Sequence, residues 1–263
     1  MTAMCQILAI TNQKGGVGKT TTAVNLATAL AACGLRILLV DLDGQGNTST
    51  GLGIAPQKRA LDSYRLLLQE VPVEVCTIPT DIPGLSIIPA SMDLSAVDFD
   101  LHDVPDRNTR LKDALATIAP SYDYILIDCP PALTILTINA LCAAHSVLIP
   151  VQCEFYALEG LSHLIQTINR IRDGLNPGLF IDGIVLTMYD RRNRLSSQID
   201  EDVRSHFTTR VYRTVIPRNV RISEAPSHGL PIILYDKRSK GAQAYVQLAQ
   251  EFISRHSLQA RIA

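Results

Sequence analysis

The feature that most constrains this chain is a glycine-rich run at residues 12–22, Asn-Gln-Lys-Gly-Gly-Val-Gly-Lys-Thr-Thr-Thr, which lies between a short apolar run and a longer alanine-rich one. Its three glycines can adopt backbone angles that other residues avoid, and they let backbone N–H groups come close to an anion. A helix that begins here points its free N–H groups and positive dipole end at the same anion. The run therefore predicts a phosphate-binding loop between a buried strand and a helix.

Each residue type in this loop has a predicted role. Lys19 is expected to reach the β and γ phosphates of a nucleotide, and the Thr20 hydroxyl is expected to ligate Mg²⁺. The residues predicted to contact the nucleotide here are Gly15, Gly16, Val17, Gly18, Lys19, Thr20 and Thr21.

Length and composition set limits on the class of protein. The 263 residues, 47% hydrophobic and 19% charged, fit one α/β domain spanning 1–263. With a net charge of −1, any contact with nucleic acid has to come from a local basic patch. The six cysteines form no CxxC pair, which fits a reducing, cytoplasm-like compartment. No apolar run approaches the ~18 residues that span a bilayer, and no signal peptide is expected.

Hydrophobic patterns predict alternating strands and helices. Strands are expected at 7–11, 36–41, 85–89, 124–128, 146–151, 181–188 and 211–216. Helices are expected at 20–33, 61–69, 107–119, 158–175, 196–207 and 241–256. This order predicts an α/β fold with a mostly parallel twisted sheet and helices on both faces.

Carboxylates follow two of the predicted strands. Asp41 and Asp43 come at the end of the second strand, and Asp128 ends the apolar strand 124–128 in the form of a Walker B motif. Open parallel sheets place ligands at the carboxyl ends of their strands. A carboxylate at Asp128 can accept a hydrogen bond from a metal-bound water, so we expect it beside the phosphate loop.

The strict Walker A pattern fails in this chain, because Gln13 stands where the pattern needs glycine. The segment instead matches the deviant form, in which an extra lysine, Lys14, precedes the glycines, and so it resembles the ParA/MinD family of ATPases. The stretches 152–160 and 216–226 resemble the ParA branch of that family. The resemblance runs from about residue 7 to 252 and indicates a ParA/Soj-type chromosome-partitioning ATPase with a P-loop NTPase fold.

This resemblance implies a mechanism that uses ATP and Mg²⁺. Lys14 would cross a nucleotide-sandwich homodimer to contact the partner subunit's phosphates. Asp43 would orient or activate the attacking water and contribute to the metal site with Thr20, whereas Asp41 would lie near the metal shell. Asp128 would also position water. The family usually has proline where this chain has Gly44.

The resemblance further places the adenine near Met188 and Pro217. It also implies that the ATP-bound dimer binds DNA without sequence preference. A ParB-type centromere-binding protein would stimulate hydrolysis and so release the dimer. The expected location is cytoplasmic, on the bacterial nucleoid.

Arginines are concentrated in one part of the chain. Five lie between residues 203 and 223, with no Asp or Glu among them, and three more lie at 191–194. Such a patch can bind DNA phosphates, and this binding weakens steeply with salt. The predicted contacts are first Arg191 and Arg218, then Arg192 and Arg221. The alternative is a scatter of surface arginines paired with acidic residues elsewhere.

Two other functions remain open at this stage. A MinD-like membrane-cycling ATPase would need a basic amphipathic C-terminal helix. Beyond the predicted core helix, the tail 251–263 offers only Leu258 and Ile262 as apolar residues. A nucleotide-gated adaptor that hardly hydrolyses ATP is the other alternative, and the presence of Asp43 and Asp128 weighs against it. Because the phosphate loop starts near residue 12, no N-terminal helix-turn-helix is expected.

Overall fold

The computed structural model describes residues 4–259, in which seven strands form one sheet in the order β3-β4-β2-β5-β1-β6-β7. All neighbouring strands are parallel except the pair β3 and β4. The strands are β1 (Gln6–Ile10), β2 (Ile37–Asp41), β3 (Ile78–Pro79), β4 (Leu85–Ile88), β5 (Tyr124–Asp128), β6 (Ser146–Gln152) and β7 (Phe180–Thr187).

The connections between strands are mainly helical. The helices are α1 (Lys19–Ala32), α2 (Asn47–Gly51), α3 (Ser63–Leu67), α4 (Val73–Cys76), α5 (Val97–Asp100), α6 (Arg110–Ile118), α7 (Ile135–Ala143), α8 (Ala157–Gly174), α9 (Arg194–Phe207), α10 (Val220–Glu224), α11 (Ile232–Tyr235) and α12 (Lys240–Gln259). Short 3₁₀ turns lie at Pro56–Lys58, Met92–Ala96, Ala119–Ser121, Thr208–Arg210 and Ala225–His228.

Two hydrophobic clusters, one on each face of the sheet, form the core. Along β1, Ile7 and Ala9 join the cluster that contains α6, α7 and α8, whereas Leu8 and Ile10 join the cluster that contains α1 and α12. Successive residues of a strand point to opposite faces, so a strand covered on both sides is apolar throughout. The predicted α/β fold with helices on both faces is confirmed.

The register of the central strands assembles the candidate site. Asp128, at the end of β5, is paired in register with Ile10 of β1 on one side and with Asp41 of β2 on the other. The loop that follows β1, the turn that follows β2 and the end of β5 therefore meet at one edge. This is the carboxyl edge, where parallel sheets bind ligands.

The predicted strand at 211–216 is wrong. Isolated bridges join the two ends of this segment to β7 and to the residues just after it. In between, the backbone N–H groups of Arg213 and Thr214 donate to the Glu251 carboxylate of α12, at 2.8 and 2.9 Å. At these two positions a side chain takes the place of a strand partner, whereas the N–H groups of Tyr212 and Ile216 still donate to carbonyls of β7.

Other elements differ from the predictions in extent or were not indicated at all. The helix expected at 107–119 begins at Arg110, and α7 matches no predicted element. Nearly every side chain of α7 is buried, so the sequence shows no polar stripe. Residues 260–263, including Ile262, and the side chain of Leu258 lie outside the described residues. Within those residues, no helix is both long and apolar enough to cross a membrane.

Candidate active site

The glycine-rich loop has the open shape of an anion cradle. Gly16 and Gly18 have φ angles of 75° and 88°, in the left-handed region that favours glycine. A Cβ atom added at Gly15 or Gly16 would find no atom within 4 Å, so the space in front of both residues is free. The next residue, Lys19, begins α1, whose free N–H groups face this space.

Lys19 supplies a buried positive charge to the cradle. Only 7% of the residue is exposed, and its ammonium donates to the Lys14 carbonyl at 3.1 Å. Burial lowers the pKa of Lys19, while the nearby Asp128 opposes that shift. An ammonium has three N–H donors. Among residues 4–259 one of them has an acceptor, so the others can bind an anion in the loop.

Asp128 connects two threonines from different elements. Its Oδ2 accepts hydrogen bonds from the hydroxyls of Thr20, at 2.7 Å, and Thr48, at 2.6 Å. Burial, together with the charge of Asp41, raises the pKa of Asp128 to about 7, and the two hydroxyls oppose the rise. Its other oxygen, Oδ1, is buried without a hydrogen-bond partner in the described part of the chain. Such an oxygen fits a water molecule, which is a usual neighbour of a bound cation.

Thr20 is arranged to serve as a magnesium ligand. Its hydroxyl gives its hydrogen to Asp128, so the oxygen lone pairs remain available on the side of the loop. Mg²⁺ keeps several waters and commonly takes only one or two protein ligands besides phosphate oxygens. A single hydroxyl beside a phosphate cradle, backed by a buried carboxylate, therefore fits Mg²⁺ held with a nucleotide.

The two aspartates after β2 differ in environment. Asp41 is buried, and its Oδ2 accepts from the backbone N–H and the hydroxyl of Ser49 at 2.9 and 2.7 Å, which fixes the start of α2. Burial raises the pKa of Asp41 to about 6. Asp43 is half-buried, and its carboxylate accepts one hydrogen bond, from the Gln45 N–H at 3.0 Å. Asp43 is thus the more available of the two for a ligand or a water.

Lys14 lies outside the cradle formed by its own loop. Its N–H donates to the Asn12 side chain at 3.0 Å, and its ammonium forms an ion pair with Glu154, in the turn between β6 and α8. The two lysines of the motif are therefore separated: Lys19 is inside the cradle and Lys14 is at the surface.

A cavity of about 530 Å³ lies beside the loop. Its lining includes Gly18, Thr21, Met188 and Pro217. The Thr187 hydroxyl donates to the Val17 carbonyl at 2.8 Å and so ties the end of β7 to the loop. The structure thus brings Met188 and Pro217 together next to the cradle, and their contact with adenine stays a prediction.

The four predicted DNA-binding arginines lie just beyond β7 and around the start of α10. Backbone hydrogen bonds from Tyr189 to Ile216 and from Arg218 to Tyr189, both 3.0 Å, bring the two segments side by side. Arg192 is paired with Asp190, and Arg221 with Glu224. Arg191 and Arg218 are exposed, and no described carboxylate lies within 4.0 Å of their charged nitrogens. Contact of these four with DNA remains a prediction.

Sequence reasoning missed several residues that shape the site. Thr48 holds Asp128, Ser49 holds Asp41, and Asn12 donates to the Pro150 carbonyl at 2.7 Å. Glu154, the partner of Lys14, was also missed. The run of hydroxyl residues at 48–50, directly after a predicted ligand-binding turn, was the available signal.

Comparison with known proteins decides the family. A family model described as an AAA domain matches residues 5–181. The chromosome partitioning protein ParA of Caulobacter vibrioides is 58% identical over 252 residues, covering 95% of this chain and 94% of that protein. The sporulation initiation inhibitor protein Soj of Bacillus subtilis is 53% identical over 248 residues, covering 94% and 98%.

The chain belongs to the ParA/Soj family of chromosome-partitioning ATPases.

Solved structures agree with this ParA/Soj assignment at the level of the fold. Cobyrinic acid a,c-diamide synthase from Mycobacterium smegmatis, with bound ADP and magnesium, is 37% identical with a TM-score of 0.82, covering 94% of this chain and 93% of that one. The cell division ATPase MinD of Pyrococcus furiosus is 29% identical with a TM-score of 0.79, covering 95% and 99%. As a member of the ParA/Soj family, the chain is an ATPase.

Proposed function

We propose that this ATPase partitions DNA by forming an ATP-sandwich homodimer that binds DNA without sequence preference. Hydrolysis, stimulated by a ParB-type centromere-binding protein, then releases the dimer from DNA. The observation that carries the proposal is the separation of the two motif lysines. Lys19 lies within its own cradle, whereas Lys14 lies at the surface with 43% of its side chain exposed, where a second subunit can be reached.

The cradle and its surroundings bind and orient the nucleotide. When bound, ATP supplies the phosphoryl group to be transferred, and Mg²⁺ neutralises charge on the phosphates. Lys19 and the backbone N–H groups of Gly15, Gly16 and Gly18 hold the phosphates, and Thr20 holds the cation. Met188 and Pro217, on the adjoining cavity, take the base.

Three residues of this chain act on the reaction. Asp43 orients the attacking water and receives its proton, since its carboxylate is half-buried and has one hydrogen bond. Asp128 accepts a hydrogen bond from water at its unpartnered Oδ1. Lys14 stabilises charge on the partner subunit's phosphates, in the manner of an arginine finger; fingers supplied in trans are worth ~10³–10⁵ in rate.

The DNA surface is proposed to be formed by the exposed arginines beyond β7. Arg191 and Arg218 lie on adjacent segments and have no carboxylate partner in the described residues, which supports a role as phosphate contacts. Arg192 and Arg221 would extend that surface. All four belong to a single ATPase domain spanning 1–263, and we propose a cytoplasmic, nucleoid-associated location for it.

The proposal is tested by measuring binding to two surfaces at one fixed salt concentration. The surfaces are a DNA fragment of arbitrary sequence and anionic liposomes, each tested with ATP, with ADP and without nucleotide. Binding to DNA only with ATP is the expected result. Binding to liposomes and not to DNA would contradict the proposal in favour of a MinD-like membrane cycle.

A further inference from the structure

The ion pair between Lys14 and Glu154 joins two parts of one chain at the surface beside the cradle. Lys14 belongs to the phosphate loop, and Glu154 lies in the turn between β6 and α8. The side chains are 43% and 31% exposed, so the pair is accessible to a second molecule. Besides this ammonium, no described donor satisfies Glu154 Oε1, which is itself buried.

The backbone of Lys14 is fixed at both of its polar groups. Its N–H donates to Asn12 Oδ1 at 3.0 Å, and its carbonyl accepts from the Lys19 ammonium at 3.1 Å. Asn12 in turn donates to the Pro150 carbonyl at 2.7 Å. Because the backbone is held in this way, Lys14 can change partners by rotation of its side chain alone.

The Glu154 side of the pair is held equally well. Its N–H donates to the Gln152 carbonyl at 2.9 Å, and its own carbonyl accepts from the Ala157 N–H at 3.0 Å, where α8 begins. Gln13, next to Lys14, donates to the Thr167 hydroxyl of α8 at 3.1 Å. The backbone that carries Glu154 is therefore fixed beside Lys14, and its carboxylate competes for the Lys14 ammonium.

The surface around the pair has the character of an association site. Phe155 and Tyr156 directly follow Glu154, are 73% and 63% exposed, and pack edge to face with ring centroids 5.1 Å apart. Adjacent exposed aromatic side chains are typical of surfaces that bury against a partner.

We propose that Glu154 is a positioning residue that holds Lys14 within its own subunit until a second, nucleotide-loaded copy offers its phosphates. This inference rests on the proposed function, in which Lys14 acts across the homodimer. The phosphates of the second copy and the Glu154 carboxylate compete for one ammonium. Dimer formation has to break the internal pair, so the pair with Glu154 weakens the affinity of one subunit for the other.

The first test needs no nucleotide. The protein is treated with an N-hydroxysuccinimide ester, and acylation of Lys14 and Lys19 is followed by peptide mass spectrometry. We expect Lys14 to react at least threefold faster in Glu154→Gln than in the wild type, with Lys19 unchanged as an internal reference. Glu159→Gln, at an exposed carboxylate in the first turn of α8, is the matched control and should leave both rates unchanged. An unchanged Lys14 rate in Glu154→Gln would overturn the proposal.

The second test measures the Kd of the ATP-dependent dimer by sedimentation. Partly exposed ion pairs contribute up to about 1 kcal/mol each, and the homodimer breaks one pair in each subunit, so Glu154→Gln should tighten the dimer roughly two- to thirtyfold. Glu159→Gln should leave this Kd unchanged. The proposed role of Glu154 would be overturned if Glu154→Gln dimerised with unchanged or weaker affinity. It would also be overturned if Glu159→Gln tightened the dimer equally.

The two tests separate the holding of Lys14 by Glu154 from the ATP-dependent homodimer on which the proposal rests. If the wild type forms no dimer with ATP, the proposed homodimer fails, and the role of Glu154 in association fails with it. The acylation rates still report whether Glu154 holds Lys14 in the single subunit. If the wild type dimerises with ATP and Glu154→Gln changes neither the acylation rate of Lys14 nor the dimer Kd, only the proposed role of Glu154 is contradicted.

Discussion

The hydroxyl of Thr48 donates a 2.6 Å hydrogen bond to Asp128 Oδ2, the same oxygen that accepts from Thr20. Thr48 belongs to α2, which follows the turn after β2, whereas Asp128 ends β5. Both residues are fully buried. The turn that carries Asp43 is thereby linked to the carboxylate beside the phosphate loop, and it cannot move away without removing a donor from a buried carboxylate.

We expect Thr48→Val to lower the free energy of unfolding by about 1–3 kcal/mol, because a buried carboxylate oxygen loses one of its two donors while the shape of the side chain is kept. Urea unfolding measures this loss. Thr50→Val is the matched control, since its hydroxyl donates to the Gly46 carbonyl at an exposed position. Equal losses of unfolding free energy in the two variants would show that the bond to Asp128 stabilises the fold no more than the exposed bond of Thr50 does.

Glu251 is expected to make stability depend on pH. Burial opposes its ionisation, but the N–H groups of Arg213 and Thr214 and the Arg255 guanidinium outweigh this and hold the pKa of Glu251 below its usual 4.5. The folded state therefore binds the proton less readily than the unfolded chain does. The stability from Glu251 is present above pH 4.5 and is lost as the pH falls through the folded-state pKa.

The variant that tests this is Glu251→Gln, compared with the wild type by urea unfolding from pH 7 down to pH 3. The variant should be less stable at pH 7, and the difference should shrink as the pH falls. A difference that stays constant over the whole range would mean that the charge of Glu251 contributes nothing.

The sequence predicted the elements whose signals are local. The strand at 124–128 has the predicted bounds, because a short apolar run between polar residues has no competing interpretation. The strand at 211–216 looked similar in sequence, yet the amides of Arg213 and Thr214 bond to Glu251, which lies about forty residues further along the chain. Helix α7 was missed because nearly all of its residues are buried and its sequence therefore shows no polar stripe.

In the candidate site too, the sequence predicted the residues with a local signal and missed those placed by distant contacts. The glycine loop, Lys19 and Asp128 were found because their spacing carries the chemistry. The bonds from Thr48 to Asp128 and from Lys14 to Glu154 join residues that are 80 and 140 positions apart, which only the tertiary fold brings together. Gly44 illustrates a further limit, since a Cβ there would lie 3.1 Å from Ser95 Oγ, a contact that sequence alone does not show.

Asp43→Ala is expected to trap the ATP-bound dimer, because no other carboxylate of the turn is free to orient water: Asp41 is bonded to Ser49. Phosphate release and size-exclusion chromatography with ATP measure turnover and dimer together. Asp103→Ala, at a side chain that is 97% exposed, should behave as the wild type. Normal turnover in Asp43→Ala would remove Asp43 from the mechanism.

Arg191→Ala and Arg218→Ala are expected to weaken DNA binding equally for all sequences. If the dimer neutralises on the order of 6 phosphates, log K falls with log salt at a slope near −5, and each lost contact reduces that slope by about 1. Arg65→Ala is the control, because Arg65 lies on α3, away from the β7 edge, and is paired with Glu70. A loss that depends on DNA sequence, or an equal loss in Arg65→Ala, would argue against a phosphate-binding surface.

The central claim is that Lys14 joins two ATP-loaded subunits into the form that binds DNA. The most direct test is fluorescence anisotropy of a DNA fragment of arbitrary sequence, titrated in ATP with the wild type, Lys14→Ala and Lys19→Ala, with nucleotide binding measured in parallel. The account predicts that Lys14→Ala binds ATP but stays monomeric and fails to bind DNA, whereas Lys19→Ala loses nucleotide affinity. DNA binding by Lys14→Ala with the affinity of the wild type would contradict it.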